Sequence, residues 1–313
     1  MSKRISIETA DVLELPCDVL VLKYAQGFYG VDRAVFGRLK EELNSWPEPE
    51  GFVLLPSKGA VAAKKVLFVG VSALHEFDYP LIREFATTSL SVLGREVPDA
   101  SRIAMTIHGV GYGLDEREAF LAQIAGILDA FSAGYGPSTM EEVVIVEQNR
   151  DRASRLRTIL KENLPSEFSD EPKTFKQIAR ITAGTRSRDK PHVFVAMPFN
   201  DEMEDVYVFG IQQPVNEAGF LCERADMTTF IGDVLARIKS RIETAALVIA
   251  DLTGANANVY LEVGYAWGRN RPTLLVSKQA DDLKFDVCGQ RTLIYKNISD
   301  LAKKLAADLA SLK

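Results

Sequence analysis

The sequence predicts an α/β protein of two domains, the second a small doubly wound parallel sheet. Three observations carry this reading. Short β-branched runs alternate with amphipathic stretches along the whole chain. The length of 313 residues exceeds the usual size of one compact core. Between Lys161 and Lys190 the alternation is broken by KENLPSEFSDEPKTFKQIARITAGTRSRDK, a polar segment with two prolines and one brief apolar patch. The expected organisation is therefore a first domain over 1–160, a linker over 161–190 and a second domain over 191–313.

In the first domain RISIE, CDVLVLK, KKVLFVGV, RIAMTIHG and EEVVIVE read as strands, with LIREFATTSLSVLGREV and EREAFLAQIAGILDAF as helices between them. The second domain opens on the strand HVFVAMPF, followed by a helix over DEMEDVYVFGIQQPVNEAG and the strand FLCE. In the next helix, FIGDVLARIKSRIETA, the residues Ile231, Val234, Leu235, Ile238 and Ile242 recur at the spacing of one buried helix face. ALVIADL and PTLLVSK are continuous apolar runs, as strands covered on both faces must be, with the helix VYLEVGYAWGR between them. RTLIYK and the amphipathic NISDLAKKLAADLASL complete the set. Five strands with helical crossovers make a flavodoxin-like, doubly wound parallel sheet.

Composition excludes several function classes. A net charge of −6 argues against a general nucleic-acid or membrane-surface binder. No apolar run reaches the roughly 20 residues that cross a bilayer, and MSKRISIETAD has no apolar signal core. A cytoplasmic location is expected. Cys17, Cys222 and Cys288 are isolated, with no CxxC pair, so neither a disulfide framework nor a zinc site is expected. His75, His108 and His192 lie far apart, and no metal is expected.

Ligands of doubly wound sheets bind beyond the carboxyl ends of the strands, which directs attention to three places. Met197, Pro198 and Phe199, followed by Asn200, leave the first strand of the second domain as a tight turn that offers a ring or backbone donors to a base or phosphate. Asp251-Leu252-Thr253-Gly254-Ala255-Asn256-Ala257-Asn258 is a run of turn formers opening a helix whose positive end favours an anion, although capping alone accounts for such a run. Glu262 is expected within about the first turn of that helix, on one face with Tyr265, Ala266 and Arg269, where a glutamate is commonly a helix-dipole partner.

The runs FVAMPF and ETAALVIADLTGANANVYLEVGYAWGRNRPTLLV resemble the signature of nucleoside 2-deoxyribosyltransferases and their TIR-like nucleotide-hydrolase relatives. The resemblance covers about the last 120 residues. It implies a nucleotide beside the Met197-Pro198-Phe199 turn and the residues Asp251, Thr253, Gly254, Asn256 and Asn258. It also implies that Glu262, in Glu262-Val263-Gly264-Tyr265-Ala266, is the nucleophile or its equivalent at the anomeric carbon of the ribose. A carboxylate there stabilises oxocarbenium character or captures the sugar. The transferases carry an aspartate six residues before the nucleophile, and this chain has Asn256. A neutral leaving base benefits from a proton donor, whereas nicotinamide leaves from a cationic nitrogen, so the substitution favours NAD or a related nucleotide as substrate. Asp226, Asp233 and Asp251 are the remaining candidate acids. No separate cofactor is expected. The alternatives are a deoxyribosyltransferase or deoxynucleotide hydrolase, and a non-catalytic nucleotide sensor that acts by assembly.

In the first domain Asp11, KYAQGFYGVDRAV and IHGVGYGLDEREAF resemble macro domains in order and approximate spacing. The resemblance implies a macro-like fold holding an ADP-ribose-type ligand. Asp11 would contact the adenine, Gly27, Gly30 and Val31 would pass the distal ribose, and Gly109, Val110, Gly111, Tyr112 and Gly113 would wrap the phosphates. Lys23, Tyr24, Ala25 and Gln26 stand where hydrolysing macro domains carry a catalytic asparagine, which implies binding rather than hydrolysis. The combination of the two resemblances implies an antiphage or nucleotide-signalling effector, and a homo-oligomer.

Overall fold

A computed structural model describes residues 3–39, 46–164, 182–225, 232–287 and 289–311. Asp226, Ile231, Cys288 and most of the expected linker lie outside the described residues, as do the side chains of Asp233 and Val234. The chain divides into two compact units: Met1–Gly109 with Glu116–Ser187, and Val110–Asp115 with Arg188–Lys313. Each unit holds its own sheet, and the protein is an α/β chain of two such folds. Among the described residues no helix is long and apolar enough to cross a membrane.

The first unit runs β1 (Arg4–Thr9), β2 (Val19–Tyr24), α1 (Gly30–Leu39), β3 (Phe52–Pro56), β4 (Lys65–Gly70), α2 (Tyr79–Glu96), β5 (Arg102–Thr106), α3 (Glu116–Ser132), β6 (Glu142–Glu147) and α4 (Arg150–Asn163). Its strands lie in the order β1-β6-β5-β2-β4-β3, all neighbours parallel except the antiparallel pair β3 and β4. β2 reads VLVLKY and is buried over its first five residues, as a central parallel strand covered on both faces requires. β3, α1 and α4 were not legible in the apolar pattern. β3 is an edge strand of half-buried residues, and α4 is so polar that only Ala153, Leu156, Ile159 and Asn163 are buried. α2 and α3 cross closely because Gly126 has no side chain: a Cβ there would lie 2.1 Å from the carbonyl oxygen of Arg83.

The second unit contains β7 (His192–Ala196), β8 (Leu221–Glu223), β9 (Leu247–Asp251), β10 (Thr273–Ser277) and β11 (Thr292–Ile294), all parallel, in the order β11-β10-β9-β7-β8. Counted within the unit this is the 2-1-3-4-5 order of a flavodoxin-like sheet. The expected first helix is three pieces: α5 (Asp201–Asp205), a π-helical stretch (Val206–Gln212) and α6 (Gln213–Glu217). Pro214, with no N–H to donate and a ring that crowds the preceding turn, sits in the first turn of α6, where the wider π turns end. α7 (Gly232–Thr244) and α8 (Ala257–Gly268) pack together on one face of the sheet, while α9 (Ile298–Ala310) packs against the π-helical stretch and α6 on the other. Val193, Val195, Ile211, Val215, Leu301 and Leu305 form the core beneath α9.

Val110–Asp115 belong to this second unit. Tyr112 pairs with Ala225 in an antiparallel bridge, and the Cys222 N–H donates to Asp115 Oδ2 at 3.0 Å. A glycine-rich run that composition alone places in the first domain therefore lies along β8, the edge strand of the second sheet.

Candidate functional site

In the 2-1-3-4-5 order the strand sequence reverses between β7 and β9, and the crevice beyond their carboxyl ends is where such sheets bind ligands. β7 leaves into Met197-Pro198-Phe199-Asn200. Met197 and Pro198 are buried, Phe199 is 44% exposed, and Asn200 caps α5 by accepting the Met203 N–H at 3.0 Å.

β9 ends at Asp251, whose carboxylate builds the following turn. Oδ1 accepts the Thr253 N–H at 2.9 Å and Oδ2 accepts the Tyr295 hydroxyl at 2.8 Å, with the side chain wholly buried. Burial pushes its carboxyl above the ordinary aspartate range, and the bonds to Thr253 and Tyr295 oppose that. Thr253 Oγ1 accepts the Lys278 N–H at 3.0 Å, and Gly254, at φ 73°, donates its N–H to Asp282 Oδ2 at 3.1 Å. Asn256 is the N-cap of α8, its Oδ1 accepting the Asn258 N–H at 2.9 Å, and the Asn258 side chain is exposed. The polar run after β9 is thus a tightly bonded turn that fixes where α8 begins.

Because Asn256 takes the cap, Glu262 is the sixth helical residue and stands in the second turn of α8, not the first as the sequence suggested. That removes the helix-dipole explanation, which applies to the first turn. The side chain is 9% exposed and makes no hydrogen bond or ion pair among the described residues. Burial alone raises its pKa to about 8, so the carboxyl is largely neutral at pH 7. The other polar groups of its face are engaged elsewhere: the Tyr265 hydroxyl donates to Glu243 at 2.5 Å and Arg269 pairs with the same carboxylate at 2.8 Å. Among the described residues Glu262 is thus a buried carboxyl with no compensating partner, on the helix that follows β9.

Sequence reading passed over one feature of this rim. Arg224, the first residue after β8, lies between Tyr207 and Phe199, its guanidinium carbon 3.8 Å and 4.9 Å from their ring centres, and pairs with Glu204 at 2.6 Å. A lone arginine after FLCE carries no motif, and its aromatic partners are 25 and 17 residues distant. Among the described residues no three His, Cys, Asp or Glu side chains come together as a metal site.

In the first unit Asp11 Oδ1 accepts the Leu13 N–H at 2.9 Å, an Asx turn after β1. A Cβ on Gly27 would approach the Tyr29 hydroxyl to 3.0 Å; Gly30 opens α1 at φ 52°, and Val31 beside it is half-buried. Gly109, Gly111 and Gly113 all have positive φ, 83°, 87° and 103°. Asp11, Gly27, Gly30, Val31 and Gly109 are grouped in the first unit, while Val110, Gly111, Tyr112 and Gly113 are grouped in the second. At the carboxyl end of β2, Lys23 and Asp32 form a buried ion pair at 2.7 Å. His108, just past β5, packs edge-on to Phe85, and burial with the nearby Lys23 charge holds it well below the ordinary histidine range. An open cleft in this unit is lined by Glu50, Val71, Ser72, Leu81, Glu84 and Phe85, among others, none of them a residue the sequence singled out.

No protein-family model and no curated protein matches the chain. Among solved structures it is similar to the Oceanobacillus iheyensis macrodomain with MES bound, at 15% identity over 50% of this chain and 89% of that one, with a TM-score of 0.41. The same macrodomain with ADP gives 16% identity, 50% and 88% coverage and a TM-score of 0.40. The bottromycin maturation enzyme BotP gives 13% identity over 94% of this chain and 89% of its own, with a TM-score of 0.28.

Proposed function

We propose that the second unit binds a nucleotide at the β7/β9 switch point and cleaves its N-glycosidic bond, with Glu262 at the anomeric carbon. The observation that carries the reading is Glu262, buried and without a hydrogen-bond or ion-pair partner among the described residues, on the helix that follows β9, one of the two strands of the switch point. The free protein holds this carboxyl mostly protonated. A substrate with a cationic glycosidic nitrogen supplies the positive charge that ionises it, and the carboxylate then stabilises the oxocarbenium character that develops as the base leaves. Water completes the hydrolysis at that carbon. A pyridinium nucleotide such as NAD meets this requirement, because its base departs neutral and needs no proton.

Neither Asp251 nor Asn256 supplies the second acid that a transfer between neutral bases would use, the first being engaged by Thr253 and Tyr295 and the second by the helix cap. This favours hydrolysis of NAD or a related nucleotide over deoxyribosyl transfer. For the first unit we read the Asp11 turn after β1 with Gly30 and Gly109, both at positive φ, as part of a macro-like receptor for an ADP-ribose-type ligand. Chromatography of the base released from NAD and a nucleotide panel tests the enzymatic reading. Wild type should release base and Glu262→Gln should lose it by a factor on the order of 10²–10⁴ while still binding ligand. Tight binding with no release from any nucleotide would instead favour a sensor.

A further inference from the structure

We infer that Arg224 is the phosphate-recognising residue of the β7/β9 rim, so that its ligand is a nucleoside 5′-phosphate rather than a free nucleoside. This rests on the nucleotide reading above. Arg224 follows β8, which pairs with β7 on the side opposite β9. The carboxyl ends of β8 and β9 are thus two strand spacings apart, about 10 Å, a distance that a sugar and its phosphate can bridge.

The guanidinium is fixed before any ligand arrives. Its side chain is 9% exposed, with its guanidinium carbon over the rings of both Tyr207 and Phe199, so most of its water is gone and the Glu204 bond orients it. One terminal nitrogen donates to Glu204 Oε2 at 2.6 Å, and among the described residues the other meets the Met197 sulfur at 3.8 Å, a weak acceptor. Half of the fork is therefore anchored by a carboxylate, and the other half meets a thioether in the very turn that leaves β7. An arginine fork matches phosphate oxygens in geometry and charge, and a desolvated, preoriented one binds them with little ordering cost. An arginine whose role was only to strap α5 to β8 would need the Glu204 contact alone.

The experiment is calorimetric titration of the full chain with adenosine 5′-monophosphate and with adenosine. Wild type and Glu262→Gln should prefer the phosphate at least about tenfold, and Arg224→Gln should bring the ratio close to one. Circular dichroism checks that each variant is folded. Should Arg224→Gln not fold, Glu204→Gln serves: with the carboxylate removed the whole fork is released to phosphate and the preference should widen. A preference unchanged in a folded Arg224→Gln, or unchanged in Glu204→Gln, would overturn the inference. Phosphate preference that depends on Arg224 in a protein that releases no base would leave this inference standing and remove the glycosidase reading. Base release from nucleoside and nucleotide with equal KM would do the reverse.

Discussion

The two units treat buried ionisable groups in opposite ways. In the first, Lys23 and Asp32 face each other at 2.7 Å, both almost wholly buried, so the interior charge is paired. In the second, Glu262 is almost as deeply buried and has no partner among the described residues. A buried pair compensates charge with charge, and breaking it by removing one member is costly. A buried single carboxyl is satisfied only by a proton or by a ligand that brings positive charge. The same fold class thus yields a paired carboxylate in one place and, among the described residues, an unpartnered one in another, and the difference lies in what each carboxylate faces.

This contrast can be broken by measurement. The largest expected effect is on the pH dependence of stability. The pKa of Glu262 is raised from 4.5 to about 8 in the fold, so between those values the folded chain keeps a proton that the unfolded chain has lost, and stability falls as pH rises through that window. Glu262→Gln removes that loss. Denaturant titrations should show the variant gaining on wild type from pH 5 to pH 9 by an amount bounded at roughly 5 kcal/mol. A constant difference across that range would mean that Glu262 is already ionised and partnered.

Next in size is the first unit. Asp32→Ala leaves the Lys23 ammonium buried without its carboxylate and should cost about 3–5 kcal/mol by denaturant titration. A loss below about 1 kcal/mol would show the pair to be solvated and would erase the contrast. His108, held neutral by burial, has a depressed folded pKa, so its contribution is present above about pH 6.5 and is lost as pH falls below it. Replacing His108 with leucine should flatten that acid limb. The smallest effect belongs to the cap: Asn256→Ala should cost about 1 kcal/mol and leave ligand affinity unchanged, whereas a larger loss of affinity than of stability would make Asn256 a substrate contact.

The flavodoxin-like order was legible because β7, β9 and β10 are apolar runs of five buried or half-buried residues separated by helix-period stretches. The turn of Asp251 to Asn258 was legible for the same reason that it is rigid, since turn formers and caps announce themselves by residue type. Three things were not. The π-helical interruption within 206–212 has the same apolar spacing as an ordinary helix over so few residues. The position of Glu262 in its helix depended on which of several capping residues begins α8, and only the Asn256 bond decides it. The attachment of Val110–Asp115 to the second unit rests on contacts more than 100 residues away in sequence, with Cys222 and Ala225, which no local pattern encodes.

The central claim is that Glu262 does chemistry on a bound nucleotide, and the most direct test is base release from NAD by wild type and Glu262→Gln, measured across pH 6 to 9 with binding of NAD followed in parallel. Release by wild type that disappears in a variant still able to bind is the predicted result. Equal release by both proteins would contradict it and move the reacting group away from α8.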